Sequence, residues 1–212
     1  MTRFFLVRHG ETEWNKIRRI QGVSDIPLND TGRAQAHAVA KILAAHSFDA
    51  IVSSPLSRAR DTASIIAKRL GMPEPAIVEG LIERNYGDAE GSNGQDLDQL
   101  YPPGTEIPGR EPREAVTARA LAALRELALV HPDSDVIAVA HGGLIRSVVE
   151  HAAPGQHNEP ITNCSVHSFR MVADSLELVA FDDPMEVASH ELSAVDFDDQ
   201  NPAEAREDNP RA

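Results

Sequence analysis

Two histidine–glycine pairs close apolar runs in this chain. Arg8-His9-Gly10 follows RFFLV, and His141-Gly142-Gly143 follows VIAVA. Apolar runs of that length read as buried strands. In open α/β sheets, ligands bind beyond the carboxyl ends of the strands, so both imidazoles are expected on one face. The glycine after each lets the backbone turn sharply or approach a ligand closely. A further strand end, SSPLSRARDT, puts Arg58 at the start of the following helix. A cation there opposes the helix dipole. A bound anion reverses the sign, because helix N-termini and arginine forks both attract phosphate. The residues alone also allow hydrogen-bonded structural histidines and a solvated arginine. Arg60 is expected at the surface.

The elements that must hold these groups alternate. Strands are expected over 3–8, 50–53, 136–140, 166–172 and 176–181, with a short one over 76–78. Asn29 can cap a helix running to about His46. A second helix spans Leu56–Leu70, stopped by Gly71 and Pro73. A long helix follows over Ala115–Val130, and another helix runs from after His141-Gly142-Gly143 to about Ala152. Such alternation predicts an α/β fold, a three-layer α/β/α sandwich with a mostly parallel sheet, to which the late strands can add an antiparallel edge. Residues 1–183 would form the catalytic domain. Residues 184–212 read as an acidic, loosely ordered tail.

Composition narrows the function. The 212 residues carry a net charge of −13, which disfavours nucleic acid, whose binding rests on neutralising phosphates. No run of about 18 apolar residues supports a membrane span, and no signal peptide is evident. One cysteine, Cys164, excludes an internal disulfide and a multi-cysteine zinc site. It is expected to pack as a small hydrophobe. The default location is the cytoplasm.

Four blocks in order, LVRHGETEWN, SSPLSRARDT, LIERNYGDAEG and VAHGG, resemble the histidine phosphatase superfamily, the phosphoglycerate-mutase-like proteins. The resemblance covers residues 3 to about 181. It implies that His9 is the nucleophile and becomes a phosphohistidine, which requires a neutral ring with its attacking nitrogen free. It implies that Arg8 and Arg58 grip the phosphoryl oxygens and that a protonated His141 donates to them. Glu83 looks like the proton donor to the leaving alkoxide, a role that needs a raised pKa. The residues alone favour a surface ion pair between Glu83 and Arg84. The resemblance puts Asn15, Gln21, Gly22 and Gly142 against the substrate, without metal or cofactor. Glu11 and Trp14 are expected to order and support the loop, with Arg18 and Arg19 either solvated or at the entrance. Tyr86 and Tyr101 can stack on a substrate ring or simply pack.

The superfamily also contains mutases. Their longer basic insertion after the glutamate block is here the short segment Gly91–Glu111, with Asp96, Asp98, Glu106 and Glu111 against Arg110. His141-Gly142-Gly143 also departs from the HGN of those mutases. Both differences favour a phosphomonoester hydrolase acting on a small phosphorylated metabolite. A mutase or a non-catalytic phospho-ligand-binding protein is the alternative, and a homodimer is left open. Loops 18–25 and 91–111 are expected to set specificity.

Overall fold

The computed structural model describes residues 1–182. The acidic tail expected from residue 184 lies outside the described residues. Among the described residues, six strands form one sheet: β1 (Arg3–Arg8), β2 (Ala50–Ser53), β3 (Ala76–Ile77), β4 (Asp135–Ala140), β5 (Val166–Val172) and β6 (Ser175–Ala180). Their spatial order is β3-β2-β4-β1-β5-β6. β4 pairs in parallel with β1 and β2, and β2 with β3, while β5 pairs antiparallel with β1 and β6 antiparallel with β5. The expected sandwich and its antiparallel edge are both present.

Among the described residues, six α-helices accompany the sheet: α1 (Glu13–Lys16), α2 (Asp30–Leu43), α3 (Ser57–Leu70), α4 (Gly94–Leu100), α5 (Arg113–Val130) and α6 (Gly142–Ala152). Side chains alternate across β1, as a strand's period of two requires. Phe4 and Leu6 join a core with Leu121 and Leu124 of α5 and Leu144 and Val148 of α6. Phe5 and Val7 join the opposite core with Val39 and Leu43 of α2 and Ala63 and Ile66 of α3. Both faces of the central strands β1, β2 and β4 are therefore covered, and these strands are largely apolar. Truncating a fully buried side chain such as Leu6 to Ala costs about 2–5 kcal/mol. Among the described residues, no helix is long and apolar enough to cross a membrane.

Local chemistry sets the helix ends. The Asn29 side chain accepts the Gly32 N–H at 2.8 Å and starts α2. Gly71, at φ +69°, ends α3 in a left-handed turn. Pro112 caps α5, which begins at Arg113, two residues before the expected start. Helices α1 and α4 were not expected. Each opens on a reciprocal capping box, Thr12 with Asn15 and Asn93 with Asp96. A third, smaller core of Ile20, Tyr86, Ala89, Leu97 and Ile107 packs α4 and the long connection onto the loop after α1. Tyr86 is fully buried there and Tyr101 lies against it, so both tyrosines pack.

Candidate active site

Register brings the two histidines together. Arg8 of β1 lies opposite Ala140 of β4. His9 and His141 therefore leave the sheet side by side, with ring centroids 5.1 Å apart. His9 continues the ladder by donating its N–H to the Ala140 carbonyl at 3.0 Å. Behind it, the Cys164 N–H reaches the Arg8 carbonyl at 3.0 Å, and Asn163 Nδ2 donates to the His9 carbonyl at 2.9 Å. Cys164 makes that bond from φ +62°, a left-handed conformation uncommon for a residue with a side chain. It is buried, as expected.

The His9 ring is fixed by its Nδ1, 2.7 Å from the Gly10 carbonyl. A carbonyl only accepts, so Nδ1 carries the proton and Nε2 keeps its lone pair. Burial pushes the His9 pKa well below the usual histidine value, and the Arg58 and Arg8 cations push it the same way. His141 is shifted likewise, by burial first and then by Arg58, His9, Arg8 and Arg119. Both rings are therefore neutral at pH 7. Complete burial next to cations penalises the imidazolium of His141 in the empty site; the protonated ring implied by the resemblance was tied to a bound phosphate dianion.

The arginines are built in from the protein side. Arg58 is 1% exposed. It donates from its terminal nitrogens to the carbonyls of Gly22, at 2.7 Å, and Ser24, at 2.8 Å. Its Nε is buried with no protein partner. Burial lowers its pKa to about 10, so it remains a cation at neutral pH. Arg8 donates to the Ile161 carbonyl at 2.5 Å. Gly142 lies over the Arg8 guanidinium, and a Cβ there would sit 3.4 Å from Nε. Arg60 is exposed, as expected.

Glu83 is not half of a surface ion pair. It is 7% exposed and Arg84 only 2%. The Glu83 carboxylate accepts backbone N–H bonds from Arg84 (2.8 Å), Gly143 (3.0 Å) and Leu144 (2.9 Å). It thereby caps α6 immediately after His141. Arg119 of α5 holds the segment from behind, donating to the carbonyls of Gly80, Ile82 and Glu83 and pairing with Glu111.

The neutral residues cluster through Thr12. Asn15 accepts the Thr12 N–H at 3.1 Å, and Gln21 Oε1 accepts the Thr12 hydroxyl at 2.8 Å. This orients both amides. Gly22, at φ +56°, holds Arg58 through its carbonyl. Glu11 anchors its loop by accepting from Asn29 Nδ2 at 2.7 Å, and Trp14 lies near Gly91. Arg18 and Arg19 are exposed.

Sequence reasoning missed two residues. Ser54 Oγ stands 2.7 Å from His141 Nε2. Its place directly after a strand, like His9 and His141, was the available signal. Glu90 binds the N–H groups of Val23 (2.9 Å) and Ser24 (2.9 Å) and the Ser24 hydroxyl (2.5 Å). It thus secures the loop whose carbonyls hold Arg58; it stands in the LIERNYGDAEG block, where only Glu83 carries an implied catalytic role.

The model of the histidine phosphatase superfamily (branch 1) matches residues 4–184. The chain belongs to that superfamily. Among its histidine phosphatase relatives, an uncharacterised phosphatase PhoE of Bacillus subtilis is 41% identical over 157 residues, 73% of this chain and 79% of that protein. A phosphoglycerate mutase-like protein 4 of Arabidopsis thaliana is 38% identical over 179 residues, 78% of each chain. The solved structure of a mycobacterial glucosyl-3-phosphoglycerate phosphatase with VO3 superposes with a TM-score of 0.75 at 30% identity, covering 84% of this chain and 98% of that one.

Proposed function

We propose that this histidine phosphatase hydrolyses phosphomonoesters of small metabolites through a phosphohistidine on His9. The observation that carries the reading is the His9 ring, whose Nδ1 is tied to the Gly10 carbonyl so that a neutral Nε2 is left to attack. Arg58 and Arg8 supply fixed positive charge beside it, which offsets the repulsion between a nucleophile and a phosphate dianion.

The reaction divides into two displacements. His9 Nε2 forms a bond to phosphorus as the ester oxygen leaves. Three backbone N–H bonds favour the ionised form of Glu83, so it takes up its proton only when the phosphate charge lies beside it. It then gives that proton to the leaving oxygen, so that an alcohol departs rather than an alkoxide. The Glu83 carboxylate then takes a proton from water, whose oxygen attacks the phosphohistidine and releases inorganic phosphate. His141 donates a hydrogen bond to the phosphoryl group throughout, and the amides of Asn15 and Gln21 and the backbone at Gly142 border the substrate. Specificity lies in the walls formed by residues 18–25 and 91–111. The segment 91–111 is acidic, with Asp96, Asp98, Glu106 and Glu111 against Arg110, which makes it a poor clamp for a doubly phosphorylated intermediate and favours hydrolysis over transfer.

Incubating the purified protein with phosphorylated metabolites, with no metal added, tests the reading. Ranking by kcat/KM identifies the substrate. Failure to release phosphate from any of them would leave a binding protein.

A further inference from the structure

Ser54 is completely buried, and so is His141. The Ser54 side chain has two neighbours: it accepts the Leu56 N–H at 3.4 Å, and its Oγ lies 2.7 Å from His141 Nε2. A hydroxyl has one proton to donate. An amide N–H cannot receive it, and a buried hydroxyl left without an acceptor is costly. Among the described contacts, the only acceptor within reach is the lone pair of His141 Nε2. A neutral imidazole whose Nε2 accepts must carry its proton on Nδ1. His141 Nδ1 is itself buried with no protein partner. The resting site therefore keeps a desolvated N–H donor unsatisfied beside the His9 ring.

We propose that Ser54 is a positioning residue that fixes the tautomer of His141, so that a neutral ring presents its Nδ1–H to the phosphoryl oxygen. His141 then needs no extra proton to perform its part, and the buried site avoids a third cation next to Arg8 and Arg58. Ser54 gains this hold because Ser53 pairs with Val139 in the sheet, which sets Ser54 level with the end of β4. The proposal rests on the hydrolase reading only for its catalytic consequence, since the tautomer exists without turnover.

The test is nitrogen NMR of the full chain labelled at histidine, together with vanadate titration. In the free protein at pH 7, His141 is expected to show a protonated Nδ1 and an unprotonated Nε2. Ser54→Ala should abolish that preference and weaken vanadate binding by roughly 10–100-fold, the size of loss seen when the partner orienting a metal-binding histidine is removed. Ser54→Thr, which keeps the hydroxyl, should restore both. In a His141→Ala background, Ser54→Ala should cause no additional loss. An imidazolium or an Nε2–H ring in the wild type overturns the proposal. So does unchanged vanadate affinity in Ser54→Ala, or an equal loss with His141 already removed. A correct tautomer in a protein that hydrolyses no phosphomonoester would overturn the hydrolase reading alone.

Discussion

The Leu144 N–H donates to the Glu83 carboxylate at 2.9 Å, linking the proposed proton donor to the helix that starts at His141. Residues 61 positions apart thus share one hydrogen-bonded corner. If Glu83 delivers the proton, Glu83→Gln should slow alkyl phosphates by roughly 10²–10⁴-fold. Aryl phosphates with acidic phenols should lose far less, because such oxygens leave unprotonated. Single-turnover phosphorylation rates are the measurement. Equal losses for both substrates would reduce Glu83 to a cap on α6.

His9→Ala should remove essentially all turnover while the far-ultraviolet circular dichroism stays unchanged. Rapid quenching of the wild type under alkaline conditions should trap an acid-labile phosphoryl group on His9. Phosphate trapped on a serine would redirect the mechanism to another nucleophile.

Burial of neutral His9 and His141 links folding to pH. Both folded pKa values are depressed, so below about pH 6.5 the unfolded chain binds protons that the folded one refuses. Their contribution is fully present above that pH. It is lost as pH falls towards the folded values, at up to about 2.7 kcal/mol per pH unit for two such groups. Urea midpoints measured without phosphate should drop between pH 6.5 and 5, and His141→Gln should reduce the slope. A stability that rises over the same interval would contradict the buried neutral pair.

Gly22 allows no side chain. It sits at φ +56°, and a Cβ would come within 2.0 Å of Glu90 Oε1. Gly22→Ala should therefore displace the carbonyl that holds Arg58 and lower kcat/KM by roughly tenfold or more, with aryl and alkyl substrates affected alike. Adding Glu90→Ala should relieve the collision without recovering the loop, because the bonds to Val23 and Ser24 go with it. Wild-type activity in Gly22→Ala would show that Arg58 does not depend on this loop.

Activity should survive exhaustive chelation, since the proposed phosphate grip consists of arginines and histidines. An enzyme silenced by chelator and revived by magnesium or manganese would require a different mechanism.

Much of this arrangement was legible in the sequence because it is local. Apolar runs ending in His9 and His141 marked two strand ends, Asn29 marked the start of α2, and Gly71 marked the end of α3. Helices α1 and α4 escaped because four and seven residues carry too little periodicity to register. The missing parts of the site are long-range. Ser54 meets His141 across 87 positions and Glu90 meets Val23 across 67, and such pairings exist only once the sheet and the third core have formed. The neutral state of His141 was likewise hidden, since it follows from complete burial beside arginines contributed by β1 and α3.

Strand β3 bounds one side of the sheet with only two residues, Ala76 and Ile77, both exposed. A longer bare margin would offer a row of unpaired amides on which a second molecule could extend the sheet. Two residues give little purchase for such templating. That flank is therefore protected against strand-by-strand aggregation by its brevity, which matters for a protein refolding at high concentration.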